Sequence, residues 1–273
     1  MAQIALLTKV EIDRAAFSVR PTDRLLFVGS CFAANIGGRF AENQFRTLVN
    51  PYGVMYNPVS ILHTVERAIA DGTLPSSGVD VAVFTLGTNH VYILNETGEI
   101  VDNCQKRPQR LFTERELSID ECAESLKKAI DALRSLNPET KVVLTVSPIR
   151  YAKYGYHGSR LSKATLLLAA DYIINKVEGT SYFPAYEIMN DELRDYRFYQ
   201  PDMLHPSEQA VDYIYSRFDD TYFTDETRAF VNEWQPIRSA LAHRPFNPDG
   251  EEYKRFLAAT KEKERQFKQK WKL

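Results

Sequence analysis

Two short stretches hold residues able to carry out acyl chemistry together. In "RLLFVGSCFAANIGGRF" (24–40), four apolar residues, Leu25 to Val28, run straight into Gly29-Ser30-Cys31, and an apolar helical pattern follows at once. A serine on a bend between a buried strand and a helix stands beside free backbone N–H groups and the positive end of the helix dipole. Such surroundings stabilise the oxyanion of a tetrahedral intermediate. The same position also suits a polar N-cap with no chemistry at all. A nucleophilic serine needs a base, and His63, His90, His157, His205 and His243 are available. His205 lies in "PDMLHP", where Asp202 precedes it by three residues and Pro201 and Pro206 stiffen the loop. A carboxylate at that spacing can orient the imidazole and stabilise its protonated form. The alternative is that Pro206 merely begins a helix and His205 is incidental. Candidate oxyanion donors beyond the Ser30 N–H are Gly53 in "NPYGVMYNP", whose N–H can approach a substrate closely, and Asn89 in "LGTNH", whose side chain can donate or equally cap the turn there.

These residues sit where strands end. Strand-like runs at 25–28, 46–50, 79–87, 141–147 and 181–186 alternate with helical periodicity. Asn57 and Pro58 open one helix, Ser118 and Glu121 form a capping box ahead of another, and a third is expected from about Ser162 to Glu178 after a polar loop. "HVYILNETGEIVDNC" (90–104) breaks the alternation as two short strands around Asn95–Gly98. Strand–helix alternation predicts βαβ units, a mostly parallel sheet with helices on both faces, and ligands at the carboxyl ends of the strands. From about Thr224 the pattern turns wholly helical, which divides the chain into an α/β domain at 1–223 and a helical extension at 224–273 packed on it. Residues 251–273 carry eight Lys/Arg against four Glu, as a solvated helix packed by one face does.

A chain of 273 residues with 44% hydrophobic and 26% charged residues can bury a sizeable core. Its net charge of −2 gives no electrostatic case for nucleic acid or an anionic membrane. No apolar run is long enough to span a bilayer, and "MAQIALLTKVEIDRAAF" lacks the basic and apolar regions of a signal peptide. Cys31, Cys104 and Cys122 fit neither a disulfide framework nor a zinc site, so a reducing cytoplasm is expected and no metal. No G-x-G-x-x-G or P-loop follows a strand, which argues against nucleotide binding.

The ordered set Ser30, Gly53, Asn89 and Asp202-x-x-His205 resembles the SGNH hydrolase superfamily. The wording "GSCFAANIG", "NPYGVMYNP", "SKATLLLAADY", "YFPAYEIMNDELRDYRFYQPDMLHPS" and "HRPFNP" is similar to the GSCFA family, from about residue 20 to 250. The resemblance implies a three-layer α/β/α sandwich of flavodoxin type, with Ser30 as nucleophile, His205 as base and Asp202 as third member of the triad. It implies oxyanion donors at the Ser30 N–H, the Gly53 N–H and the Asn89 side chain, with Asn103 in "DNCQKRP" as a substitute for Asn89. A thiol nucleophile is chemically possible at Cys31. Only one of the two neighbours can face a cleft, however, and the resemblance makes that one Ser30, with Cys31 its small buried neighbour. Arg150, His157, Arg160 and Lys163, in "SPIRYAKYGYHGSRLSKA", and several tyrosines are candidates for binding an anionic or sugar-rich substrate. The expected activity is therefore that of a serine esterase or acylhydrolase on a small-molecule or carbohydrate ester, a carbohydrate deacetylase among the possibilities, without a cofactor. Transfer of the acyl group to another acceptor, and a non-catalytic binding role on the same fold, are the alternatives.

Overall fold

The computed structural model describes residues 8–273. The first seven residues of the N-terminal apolar patch lie outside the described part.

In chain order the elements are β1 (Arg24–Gly29), α1 (Cys31–Glu42), β2 (Arg46–Val49), α2 (Pro58–Ala70), β3 (Val81–Leu86), β4 (His90–Leu94), β5 (Ile100–Val101), β6 (Phe112–Glu116) and α3 (Ile119–Leu136). There follow β7 (Lys141–Val146), α4 (Gly155–Lys176), β8 (Thr180–Tyr182), the short α5 (Ala185–Glu187), α6 (Glu208–Tyr222), α7 (Asp225–Leu241) and α8 (Glu251–Trp271).

Five strands form one sheet in the order β2-β1-β3-β7-β8, every pair parallel. Counting its strands along the chain, this is the 2-1-3-4-5 order of flavodoxin-like folds, as expected. Strand periodicity sorts the core residues. Leu26 and Val28 of β1 face the helices α2, α3 and α4 with Phe84 and Leu144, whereas Leu25 and Phe27 face α1, α6 and α7 with Val83 and Val143. Burial on both faces is why these strands read as nearly continuous apolar runs. The helix starts follow the sequence: Asn57 caps α2 and Pro58 occupies its first turn, and Ser118 and Glu121 make both bonds of the capping box on α3.

Two elements differ from the expectation. The excursion after β3 has three antiparallel strands, β5-β4-β6, rather than two. Its third, "FTERE", escapes sequence reading because most of its side chains are solvated and charged. Helix α4 begins at Gly155, a full two turns before Ser162, so His157 and Arg160 are helical rather than in a loop. Glycines at 155 and 158 and the absence of a side-chain cap conceal that start. The last segment is two helices with no strand between, as expected. Their contacts are internal to the core: Phe230 packs on Phe45 and Phe267, and the Trp234 indole N–H donates to the Glu42 carbonyl at 2.7 Å. Among the described residues no helix is long and apolar enough to cross a membrane.

Candidate active site at the strand ends

Gly29 ends β1 at φ +141°, and a Cβ there would run into the Thr85 carbonyl oxygen of β3. Only glycine lets the two central strands meet so closely while the chain bends. Its N–H donates to Asn50 Oδ1 at 2.9 Å, just past the end of β2. Ser30 then caps α1: its Oγ accepts the Phe32 N–H at 3.2 Å and lies 3.0 Å from Thr85 Oγ1. Ser30 is wholly buried. Its own N–H continues the ladder to the Thr85 carbonyl at 3.1 Å.

Cys31, the first residue of α1, is half-buried. Its thiol is in hydrogen-bonding contact with the Tyr56 phenol, whose pKa is raised by burial and then by that thiol. Cys31, expected to be the small buried neighbour, is therefore the less buried of the two, and Ser30 is the more enclosed. The physical reason is the register of β1 on β3, which pairs Gly29 with Thr85 and turns the next side chain onto the Thr85 hydroxyl.

His205 and Asp202 come together in the tight turn ahead of α6. Asp202 Oδ2 is 2.6 Å from His205 Nδ1, and Asp202 Oδ1 accepts the N–H groups of Leu204 at 2.8 Å and His205 at 3.0 Å. The two backbone N–H groups, and then the imidazole, hold the Asp202 carboxyl down at about 2. The turn is tied to the end of β7, where the Arg150 N–H donates to the Leu204 carbonyl at 3.0 Å and its guanidinium to the Met203 carbonyl at 2.9 Å. The guanidinium also lies 4.2 Å from the ring centroid of Tyr156 and 5.4 Å from that of Tyr199. Arg160 belongs to the same neighbourhood, since its charge lowers the pKa of Tyr186 and Tyr199 against the larger effect of their burial. His157 is exposed on the first turn of α4 and is not brought to the dyad by any hydrogen bond among the described residues.

The expected oxyanion donors are engaged elsewhere. The Gly53 N–H closes its own turn onto the Asn50 carbonyl at 2.9 Å. Asn89 is a clasp: its Nδ2 donates to the Leu117 carbonyl, and its backbone carbonyl accepts the Leu117 N–H, each at 2.8 Å, which closes the β4–β6 excursion at its base. Asn103 is exposed and accepts the Gln105 N–H at 2.7 Å; it lines a separate cavity of about 390 Å³ beside Tyr52 and Met55. The spacing Gly87-Thr88-Asn89 locates a strand end correctly but cannot say which group the side chain will find there.

Sequence reasoning takes Lys163 for a loop cation facing substrate and misses two further groups at this edge, the Tyr151 hydroxyl and Asn50 Nδ2. Lys163 is buried, and its Nζ donates to the Gly87 and Ser147 carbonyls, 2.7 Å each, at the ends of β3 and β7. Burial brings its pKa down to about 7. Ser159, Lys163, Leu166, Ala170 and Ile173 share one buried stripe of α4, so helical spacing was the available signal. The Tyr151 hydroxyl is buried without a hydrogen-bond partner, 2.5 Å from where a Cβ on Gly87 would stand. Its phenol is pushed well up by burial, with Tyr56 and Cys31 beside it as smaller contributors. Asn50 Nδ2 is likewise buried and unpaired.

Solved structures of similar shape include a family 3 carbohydrate esterase of Clostridium thermocellum (13% identity, 81% of this chain and 100% of that one, TM-score 0.43) and a carbohydrate esterase family 3 protein of Talaromyces cellulolyticus (10%, 72% and 95%, 0.41). An acetyl esterase mutant with acetate ion is similar at 10% identity over 73% of this chain and 95% of that one, with a TM-score of 0.44. No curated protein matches the chain. The family model described as GSCFA family matches residues 24–79 and 75–218, and that of the GSCFA domain protein, C-terminal domain, matches 234–272. The chain belongs to the GSCFA family.

Proposed function

We infer that the chain performs acyl-ester chemistry at the carboxyl edge of the parallel sheet, with His205 as general base and Asp202 as the carboxylate that orients it. The observation that carries this reading is the 2.6 Å contact between His205 Nδ1 and Asp202 Oδ2, made in a turn tied to the end of β7. With Nδ1 held, Nε2 is the nitrogen left to take a proton from a nucleophile on the Ser30–Cys31 bend. The acyl carbon bonds to that nucleophile, and the alcohol leaves with the proton. Water, deprotonated by the same imidazole, then releases the acid. Asp202 stays ionised throughout, because its pKa of about 2 lies far below any imidazolium's.

Aromatic surface beside the dyad favours an acylated sugar as substrate. Tyr156 and Tyr196 are exposed around Arg150, whose guanidinium lies 5.8 Å from the Tyr196 ring centroid. Rings presented in this way suit stacking on a pyranose face. Transfer to a second alcohol uses the same steps with that alcohol in place of water. The test is steady-state turnover of p-nitrophenyl acetate and acetylated xylose. His205→Ala is expected to lower turnover by about 10²- to 10⁴-fold, as loss of a general base does. Equal turnover by His205→Ala and the unaltered chain removes the imidazole from the reaction.

A second reading, a ligand-binding protein on the same fold, is favoured by one observation: the Ser30 and Gly53 N–H groups and the Asn89 side chain donate within the protein. Calorimetric binding of acetylated sugars without hydrolysis would support it.

A further inference from the structure

We propose that Arg150 is a positioning residue for the base: its guanidinium holds the Asp202–His205 turn in place from the end of β7, and its charge serves that turn rather than an anionic substrate. The proposal rests on the acyl-ester reading above and deepens it.

The turn needs a hold from outside. Pro201, Asp202 and Met203 are exposed, and Leu204 and His205 are only partly buried, so little apolar packing fixes it. Hydrogen bonds do so instead, and every backbone group from Met203 to His205 has a partner. The Met203 N–H donates to the Gln200 carbonyl at 2.8 Å, and the Gln200 N–H donates to the His205 carbonyl at 2.7 Å. The Leu204 and His205 N–H groups go to Asp202 Oδ1. The two carbonyls that remain, of Met203 and Leu204, both go to residue 150.

Those two carbonyls belong to the two peptide units that grip the carboxylate. The Met203–Leu204 unit gives its N–H to Asp202 Oδ1 and takes Arg150 Nη1 on its oxygen at 2.9 Å. The Leu204–His205 unit gives its N–H to the same Oδ1 and takes the Arg150 backbone N–H on its oxygen at 3.0 Å. A peptide unit is planar, so a donor that fixes its oxygen also fixes the direction of its N–H. Met203 stands at φ +59°, a conformation that persists in a residue with a side chain only where the surroundings over-determine it. The guanidinium is itself fixed. It lies 4.2 Å from the ring centroid of Tyr156 on α4, and 5.4 and 5.8 Å from those of Tyr199 and Tyr196, which lead into the turn. A planar, delocalised cation stacks on such rings as an ammonium does not.

The consequence runs from the guanidinium to the proton. Without it the Met203–Leu204 unit can rotate, and its N–H leaves Asp202 Oδ1. The carboxylate then loses one of the bonds that aim Oδ2 at His205 Nδ1, and the imidazole is no longer kept with Nδ1 protonated and Nε2 bare. The Arg150 backbone N–H survives any substitution there, so the turn stays attached and only its alignment suffers.

The test compares the full chain with Arg150→Ala by two readouts. The first is steady-state turnover of p-nitrophenyl acetate, an ester with neither sugar nor charge for Arg150 to bind. A fall in kcat of about 10- to 100-fold, with KM within about two-fold, is expected of a misaligned base. The second is the ¹⁵N shift of His205 Nδ1 from long-range ¹H–¹⁵N correlation at a pH where the ring is neutral. It should report a protonated Nδ1 in the unaltered chain and the tautomer mixture of a free imidazole in Arg150→Ala. Circular dichroism melting checks the fold, and Arg150→Met, which keeps the stem, replaces Arg150→Ala if the latter does not melt cooperatively. An unchanged Nδ1 shift in the folded variant overturns the proposal, whatever the turnover. So does an unchanged kcat for p-nitrophenyl acetate beside a raised KM for an acidic ester, the mark of a substrate-binding cation. Absence of turnover in the unaltered chain, over acetyl and longer acyl esters, removes the acyl-ester reading, and the Nδ1 shift then decides for or against Arg150 by itself.

Discussion

The Lys163 ammonium is enclosed by the Gly87 and Ser147 carbonyls, with its Nζ 5.0 Å from the Tyr151 ring centroid. A neutral amine has two N–H groups for those two carbonyls, so proton loss leaves the clasp intact. The unfolded lysine keeps its proton to 10.5, whereas the buried one gives it up near 7. Between those values the unfolded chain binds more protons, so stability must rise with pH. Urea midpoints measured from about pH 7 to about pH 10 are expected to climb, and Lys163→Met should abolish that climb relative to the unaltered chain. The same substitution leaves two buried carbonyls unpaired, at about 1–3 kcal/mol each. A Lys163→Met protein with the original pH slope would refute the assignment. The residue types of the site were legible in the sequence, down to the Asp202–His205 spacing. Their surroundings were not: the register of β1 on β3 seats the Ser30 hydroxyl on that of Thr85, and composition is silent on register.

The excursion β4–β6 is held at its base by Asn89 and at its far side by His63 of α2, whose Nδ1 is 2.9 Å from Asp102 Oδ1. The hydrogen bond to Asp102 raises the His63 pKa. An imidazole stabilised in its charged form contributes stability below its unfolded pKa of 6.5 that is lost as pH rises through the folded value. Titration of the His63 ring protons by NMR should give a midpoint above 6.5, falling towards it in Asp102→Asn. An unchanged midpoint in Asp102→Asn would break the link. The parallel strands were readable because two-sided burial writes them as apolar runs. β6 and the first turns of α4 were not, since tertiary contacts carry them. The Tyr154 ring stacks on His90 at 3.6 Å, and its hydroxyl donates to Glu114 of β6 at 2.7 Å.

At the scale of the whole molecule, the terminal helices complete one face of the sandwich. Phe267 of α8 is buried against Phe230 and Trp234, and Phe230 in turn packs on Phe45 beside α1. We propose that residues 1–223 and 224–273 unfold together. Phe267→Ala is expected to lower the stability of a single cooperative urea transition by about 3–5 kcal/mol. Two separated transitions would contradict the coupling. The same face carries α1, which Ser30 caps, and α6, which follows the His205 turn, so both elements pack into one core. The central claim is a covalent acyl intermediate made at that junction. The most direct measurement is stopped-flow release of p-nitrophenol from p-nitrophenyl acetate by the unaltered chain and by His205→Ala. A stoichiometric burst that slows by about 10²-fold or more in His205→Ala is the predicted result. Linear release in the unaltered chain, at a rate His205→Ala shares, would contradict the account.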